Sequence, residues 1–282
     1  MQKPEFNTLS PITTMTPDKL LRGSTVFWFA SILAGQWIFF LFIISFYLYS
    51  VVSGNLEIWN RFEPFGSTPF KPDDTMGNLA FASHAIGAGI IAFAGVFQLM
   101  PQVRNRFPVF HKYTGYIYLT TVLALALSGF YLVWIRGTSP NVHSAIGTTI
   151  NGLLIIAFAF LTVYYAKRRN IATHRKWALR LFLVSNAQWF LRIGMMSYFI
   201  VGKVLDVPSS YFPVFSLIWT FGCFLLPLMM LQLYFYAKEN NGLAIKYIAN
   251  GVLVLLTLLM LIGIIGFTPI LHKLTIGAPI VF

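Results

Sequence analysis

The sequence predicts an all-α polytopic membrane protein with seven transmembrane helices. Three observations predict it: 57% of the 282 residues are hydrophobic, only 28 are Lys, Arg, Asp or Glu, and the apolar residues fall into long stretches. An average soluble domain is about one-quarter charged, so a 10% charged fraction excludes an ordinary water-soluble enzyme. It also excludes a disordered or nucleic-acid-binding chain, which needs more charge and fewer Phe and Leu. The single Cys223 excludes a disulfide scaffold and a cysteine-rich metal site.

A bilayer core is about 30 Å thick and a helix rises about 1.5 Å per residue, so a span needs about 20 mostly apolar residues. Seven stretches qualify: 24–52, 76–100, 110–135, 142–166, 175–202, 211–237 and 247–271. They divide the chain into a polar segment 1–23, one transmembrane domain 24–271 with a core at 76–202, and a tail 272–282. The first segment carries Pro4, Pro11 and Pro17 and lacks the apolar core of a signal peptide. The longest loop, 53–75, is too short and too rich in Gly and Pro for a second domain. Pro213 and Pro227 are expected to kink the sixth span.

Basic residues set the orientation. Fourteen Lys and Arg lie in the N-terminal segment and the second, fourth and sixth loops, against five (Arg61, Lys71, Arg136, Lys203, Lys273) on the other side. Lys and Arg are retained in the cytoplasm, so the N-terminus is expected inside and, after seven spans, the C-terminus outside.

The polar residues within the spans point to chemistry. No Asp or Glu occurs between Asp74 and Asp206, which argues against proton or cation coupling through buried carboxylates and against paired acid–base hydrolysis. The same stretch holds His84, His111, His143 and His174, spaced by 27, 32 and 31 residues, one on each of four successive spans. PVFHKYTG and PNVHSAIG share Pro-x-x-His-x-x-x-Gly. Four residues beyond the histidines stand Ala88, Gly115, Gly147 and Ala178, each one turn along the same face. Small neighbours leave room for a flat macrocycle at an imidazole; they are also what closely packed membrane helices use.

With the N-terminus inside, His84 and His143 fall toward the outer leaflet, and His111 and His174 near the cytoplasmic surface. Two bis-histidine haem sites would then lie about 15–20 Å apart, with imidazole as a good haem ligand. Arg192, inside the fifth span, needs an anion, and a haem propionate at the outer pair, reached also by Arg136, would supply it. Arg180, Lys112, Arg175 and Lys176 surround the inner pair; these side chains can equally snorkel to lipid phosphates. Trp134, Trp177 and Trp189 fit interface anchoring or packing, and His272 fits an interfacial hydrogen-bonding role.

The set HAIGAG, Gln98 before Pro101 and RNRFP, HKYTGYIY and THRKWALR resembles a family of bacterial membrane proteins catalogued as domain of unknown function 2306 (DUF2306). That resemblance covers roughly residues 80–195 and implies a multi-pass protein of the bacterial inner membrane, without implying an activity. The histidine layout separately resembles the transmembrane dihaem b-type cytochromes, including ascorbate-dependent cytochromes and ferric-reductase-like proteins. It implies a four-helix core of the second to fifth spans, an outer haem b on His84 and His143, an inner one on His111 and His174, and transmembrane electron transfer as an oxidoreductase. A quinone or small redox protein would be the partner. The chain departs from that group in having no nicotinamide- or flavin-binding domain and no clear ascorbate motif.

Two alternatives stand beside this. Four histidines could bind zinc, but ligands at opposite faces cannot cluster around one ion. A haem-free transporter or lipid-binding bundle would instead line a cavity with Gln98, Asn151, Asn186, Gln188 and Arg192, since polar residues within spans are functional by default.

Overall fold

A computed structural model describes residues 16–61 and 68–277. Every regular element among them is helical. The first helix, α1 (Pro17–Phe42), passes through a π-helical turn (Ile43–Leu48) into α2 (Tyr49–Ser53). There follow α3 (Thr75–Leu99), the short α4 (Pro101–Arg106), and α5 (Pro108–Phe130), which ends in a second π-turn (Tyr131–Ile135). Next come α6 (Val142–Lys167), α7 (Ile171–Ser185), α8 (Ala187–Val204), α9 (Phe212–Glu239) and α10 (Leu243–Ile276).

Among the described residues, six segments are long and apolar enough to cross a membrane: Pro17–Ser53, Thr75–Leu99, Pro108–Ile135, Val142–Lys167, Ser209–Glu239 and Leu243–Ile276. The expected fifth span, 175–202, is not one helix. It breaks at Asn186 into α7 and α8, of 15 and 18 residues. The backbone N–H of Asn186 turns to the carbonyl of Leu183, so the carbonyl of Phe182 loses its helical partner. The Asn186 side-chain amide replaces it at 2.8 Å, and the Ser185 hydroxyl donates to the same oxygen at 3.1 Å. Away from water, a freed backbone group needs such a partner. Tyr118 of α5 bonds the Ser185 hydroxyl and ties the break to its neighbour.

The helices outrun the expected spans at both ends of the chain. Helix α1 begins at Pro17, so the polar segment 1–23 enters the helix, while residues 1–15 lie outside the described ones. Helix α10 runs to Ile276, which makes His272 and Lys273 helical; residues 278–282 lie outside the described ones. Pro213 sits in the first turn of α9, where its missing N–H is not needed, and only Pro227 lies inside that helix. The expected kink at Pro213 is therefore absent.

Packing sets what the helices enclose. Helix α3 lies against α5, α5 against α6, and α6 against α7; α1 and α8 both pack on α10. The core includes Trp59, Phe46, Phe224 and Ile32, all fully buried. Close approaches rest on glycine: a Cβ at Gly263 of α10 would stand 2.2 Å from the backbone oxygen of Ile193 in α8. Small residues let membrane helices approach this closely.

Candidate functional site

A cavity of about 720 Å³ opens among α1, α3, α5, α6, α8 and α9. Its volume falls within the roughly 300–1,000 Å³ of small-molecule and cofactor sites. The loop residues Thr138, Ser139, Pro140 and Asn141 form part of its wall, so the cavity reaches the end of the bundle where α5 gives way to α6. Both π-turns contribute to it, Tyr47 from the first and Leu132 and Val133 from the second. Such turns widen a helix locally and recur at functional sites.

His84 and His143 both line this cavity. His84 lies on the third turn of α3, partly buried. Its Nδ1 is 2.8 Å from the Ser128 hydroxyl of α5, and its ring passes over Gly129, where a Cβ would stand 3.6 Å from Cε1. The Ser128 hydroxyl gives its own proton to the Leu125 carbonyl at 3.3 Å. The Ser128 contact pins the His84 ring to α5 through Nδ1 and leaves Nε2 without a partner among the described residues. His143, in the first turn of α6, is exposed and has no hydrogen bond among the described residues.

His174 repeats the arrangement. Its Nδ1 is 2.9 Å from the backbone oxygen of Thr162 in α6. A carbonyl only accepts, so Nδ1 carries the proton and Nε2 carries the lone pair. Metal-bound histidines are held in this way, with the second ring nitrogen donating to an oxygen. His111, at the start of α5, lies close enough to His174 for their charges to interact, and its buried Nδ1 has no partner among the described residues. Among those residues no three His, Cys, Asp or Glu side chains gather at one point.

Arg192 lines the cavity with the outer histidines. It donates to the backbone oxygen of Gln188 at 2.8 Å and lies within electrostatic range of His84 and Tyr47, but forms no ion pair among the described residues. Gln36, on α1, and Asn151, on α6, also line the cavity, and both amide atoms of Gln36 and Oδ1 of Asn151 are buried without a partner among the described residues. A buried polar atom without a partner costs about 1–3 kcal/mol; two of these three are oxygens that only accept, so they call for a donor.

Arg136, Arg180 and Lys176 are engaged elsewhere. Arg136 pairs with Asp74 at 2.8 Å and donates to Asn78 at 2.7 Å, which links the end of α5 to the start of α3. Arg180 donates to Gln232 of α9 at 3.0 Å and stacks on Trp177 and Phe235. Lys176 pairs with Glu239 at 2.6 Å. Of the polar set read from the sequence, Asn151, Asn186, Gln188 and Arg192 line the cavity, whereas Gln98 bonds Thr114 at 2.6 Å.

The small residues beside the histidines divide as well. Ala88 lines the cavity, but Gly147 admits Thr220 of α9 and Gly115 faces Gln98. The last two serve helix packing. Sequence reasoning missed Gln36, Tyr47 and Ser128, which lie on helices or at spacings without a histidine repeat. A glutamine within the first apolar stretch is the one signal that could have pointed there.

No curated protein and no solved structure matches the chain. The family described as "Predicted membrane protein (DUF2306)" matches residues 81–233, more than half of the chain, and the match includes His84, His111, His143 and His174. The chain is a member of the DUF2306 family of membrane proteins.

Proposed function

We propose that the protein is a membrane b-type cytochrome that holds two haems and moves electrons through the bilayer. The observation that carries this reading is the presence of His84 and His143 on one large cavity together with Arg192, which forms no ion pair among the described residues. His84 and His143 would hold the outer haem. Arg192 would neutralise a propionate. His111 and His174 would hold the inner haem, with His174 oriented by the Thr162 carbonyl. Bound haem supplies one-electron chemistry; the protein supplies ligands, orientation and an apolar surround. Ser128 would hold the His84 ring through Nδ1, and the cationic Arg192 would favour the more negative state of what it faces. A quinone or a small redox protein would exchange the electrons.

In this reading α7 and α8 together make the fifth of seven crossings, broken but mended at Asn186. The N-terminus is cytoplasmic, the C-terminus extracytoplasmic, and the membrane the bacterial inner membrane, as the basic loops and the family resemblance imply.

Arg192, on the cavity and without an ion pair among the described residues, favours a second reading equally, a haem-free site for an amphipathic anion. The absorption spectrum separates the two. Protein purified from a haem-replete host should show a Soret band and α-bands on dithionite reduction; colourless protein would leave the anion site.

A further inference from the structure

A second cavity, of about 400 Å³, lies on the other side of α8. Helix α8 is the partition: Gln188, Arg192 and Met195 face the polar cavity, and Ile193, Gly194 and Val201 face this one. The new cavity is long and narrow. Along α9 it is lined by Phe215, Trp219, Leu226, Met230 and Tyr234, a single face whose ends are 19 residues apart, about 28 Å at 1.5 Å per residue. So small a volume spread over that length suits an extended chain and no compact ring system.

Its chemistry is that of hydrocarbon. The hydroxyls of Thr25 and Ser197 and the indole N–H of Trp219 are all spent on backbone oxygens, at 2.7, 2.6 and 3.1 Å. One end carries charge. Arg22 stands one turn before Thr25 on α1, and Lys238 lies 5.9 Å from the ring of Tyr234. Leu21 packs with Met230 and Ala237, which brings these two helix ends together. Arg22 and Lys238 are exposed and form no ion pair among the described residues. At the other end, the buried hydroxyl of Tyr198 has no partner among those residues.

The geometry points to a binding site for an anionic phospholipid, with one acyl chain in the groove and the phosphate held by Arg22 and Lys238. The site is separate from the histidine cavity and does not depend on haem. Each basic residue near the surface adds attraction to an anionic headgroup, enough in pairs for a preference of about tenfold or more. Apolar burial of the chain adds affinity common to all phospholipids.

Native mass spectrometry of the full chain in mild detergent, with added phosphatidylglycerol or phosphatidylcholine, tests it. One phosphatidylglycerol per chain should bind about tenfold or more tightly than phosphatidylcholine. R22Q/K238Q should abolish the preference while keeping both adducts. Leu226→Trp from α9, and separately Leu256→Trp from α10, should lose both adducts while keeping the wild-type helical content. Adducts unchanged in both groove variants would overturn the proposal, as would a preference that survives R22Q/K238Q. So would a co-purifying quinone released by the groove variants, which would place its ring at Tyr198. None of these readouts involves a haem band, so the histidine reading can fail without this one.

Discussion

The Nδ1 of His84 lies 2.8 Å from the hydroxyl of Ser128, 44 residues later in the chain. The contact binds α3 to α5 and occupies Nδ1, which leaves Nε2 as the nitrogen that can ligate. Oxygen partners of ligating histidines are worth about 10–100-fold in metal affinity. Ser128→Ala is therefore expected to weaken haem retention at the outer site by about 10–100-fold, measured by haem titration of the stripped protein, with the inner site unchanged.

The pair Asp74–Arg136 gives the protein an acid limit. The Arg136 side chain holds the Asp74 carboxyl below its ordinary value of 3.8, with help from the Gly77 N–H. A depressed folded-state value means that the stabilisation is full above the ordinary value and is lost as pH falls through the folded one. Thermal melting in detergent should show Tm falling as pH is lowered from 6 toward 3. Asp74→Asn should begin with a lower Tm and show a flatter profile over that window.

At Gly263 the neighbour is backbone, which cannot swing aside as a side chain can. Gly263→Ala should force α10 from α8 and cost about 1–3 kcal/mol, the usual range for overpacking. Gly251, in the same helix, has nothing within 4 Å of its added Cβ. Gly251→Ala should be neutral or stabilising by up to about 1 kcal/mol. Thermal or denaturant melting of the two variants side by side checks both signs.

The amide of Asn186 caps the carbonyl that the helix break frees. Asn186→Ala should cost about 1–3 kcal/mol of stability, seen as a lower melting temperature. The role of α7 and α8 as one crossing is checked by topology: a phosphatase fused after Phe282 should be active outside the cell. An inactive fusion, with a cytoplasmic fluorescent reporter glowing at the same position, would mean that the chain crosses six times.

How much of this was legible in the sequence depends on what each feature rests on. The long helices follow from composition, because a bilayer leaves few other options to an apolar chain. The break at Asn186 was hidden: hydropathy averages over a window and does not register one buried asparagine that rewires two hydrogen bonds. The alignment of His84 with His143 follows from helix parity, and the two do line one cavity. Arg136 was read as a second anion ligand because Asp74 stood outside the carboxylate-free stretch; the fold returns it to Arg136 at 2.8 Å. Gln36 escaped notice because its place on the cavity is tertiary, set by how α1 packs on α3. Glycine spacing could not tell room for a macrocycle from room for Thr220, since both need the same small residue.

The central claim is that two pairs of histidines each grip one haem, and the ratio of haem to protein tests it most directly. Pyridine-haemochrome assays on the purified chain should give two haems for the wild type. His143→Ala and His174→Ala should give one each, and the double variant none. A wild-type ratio near zero, or single variants that match the wild type, would contradict the account.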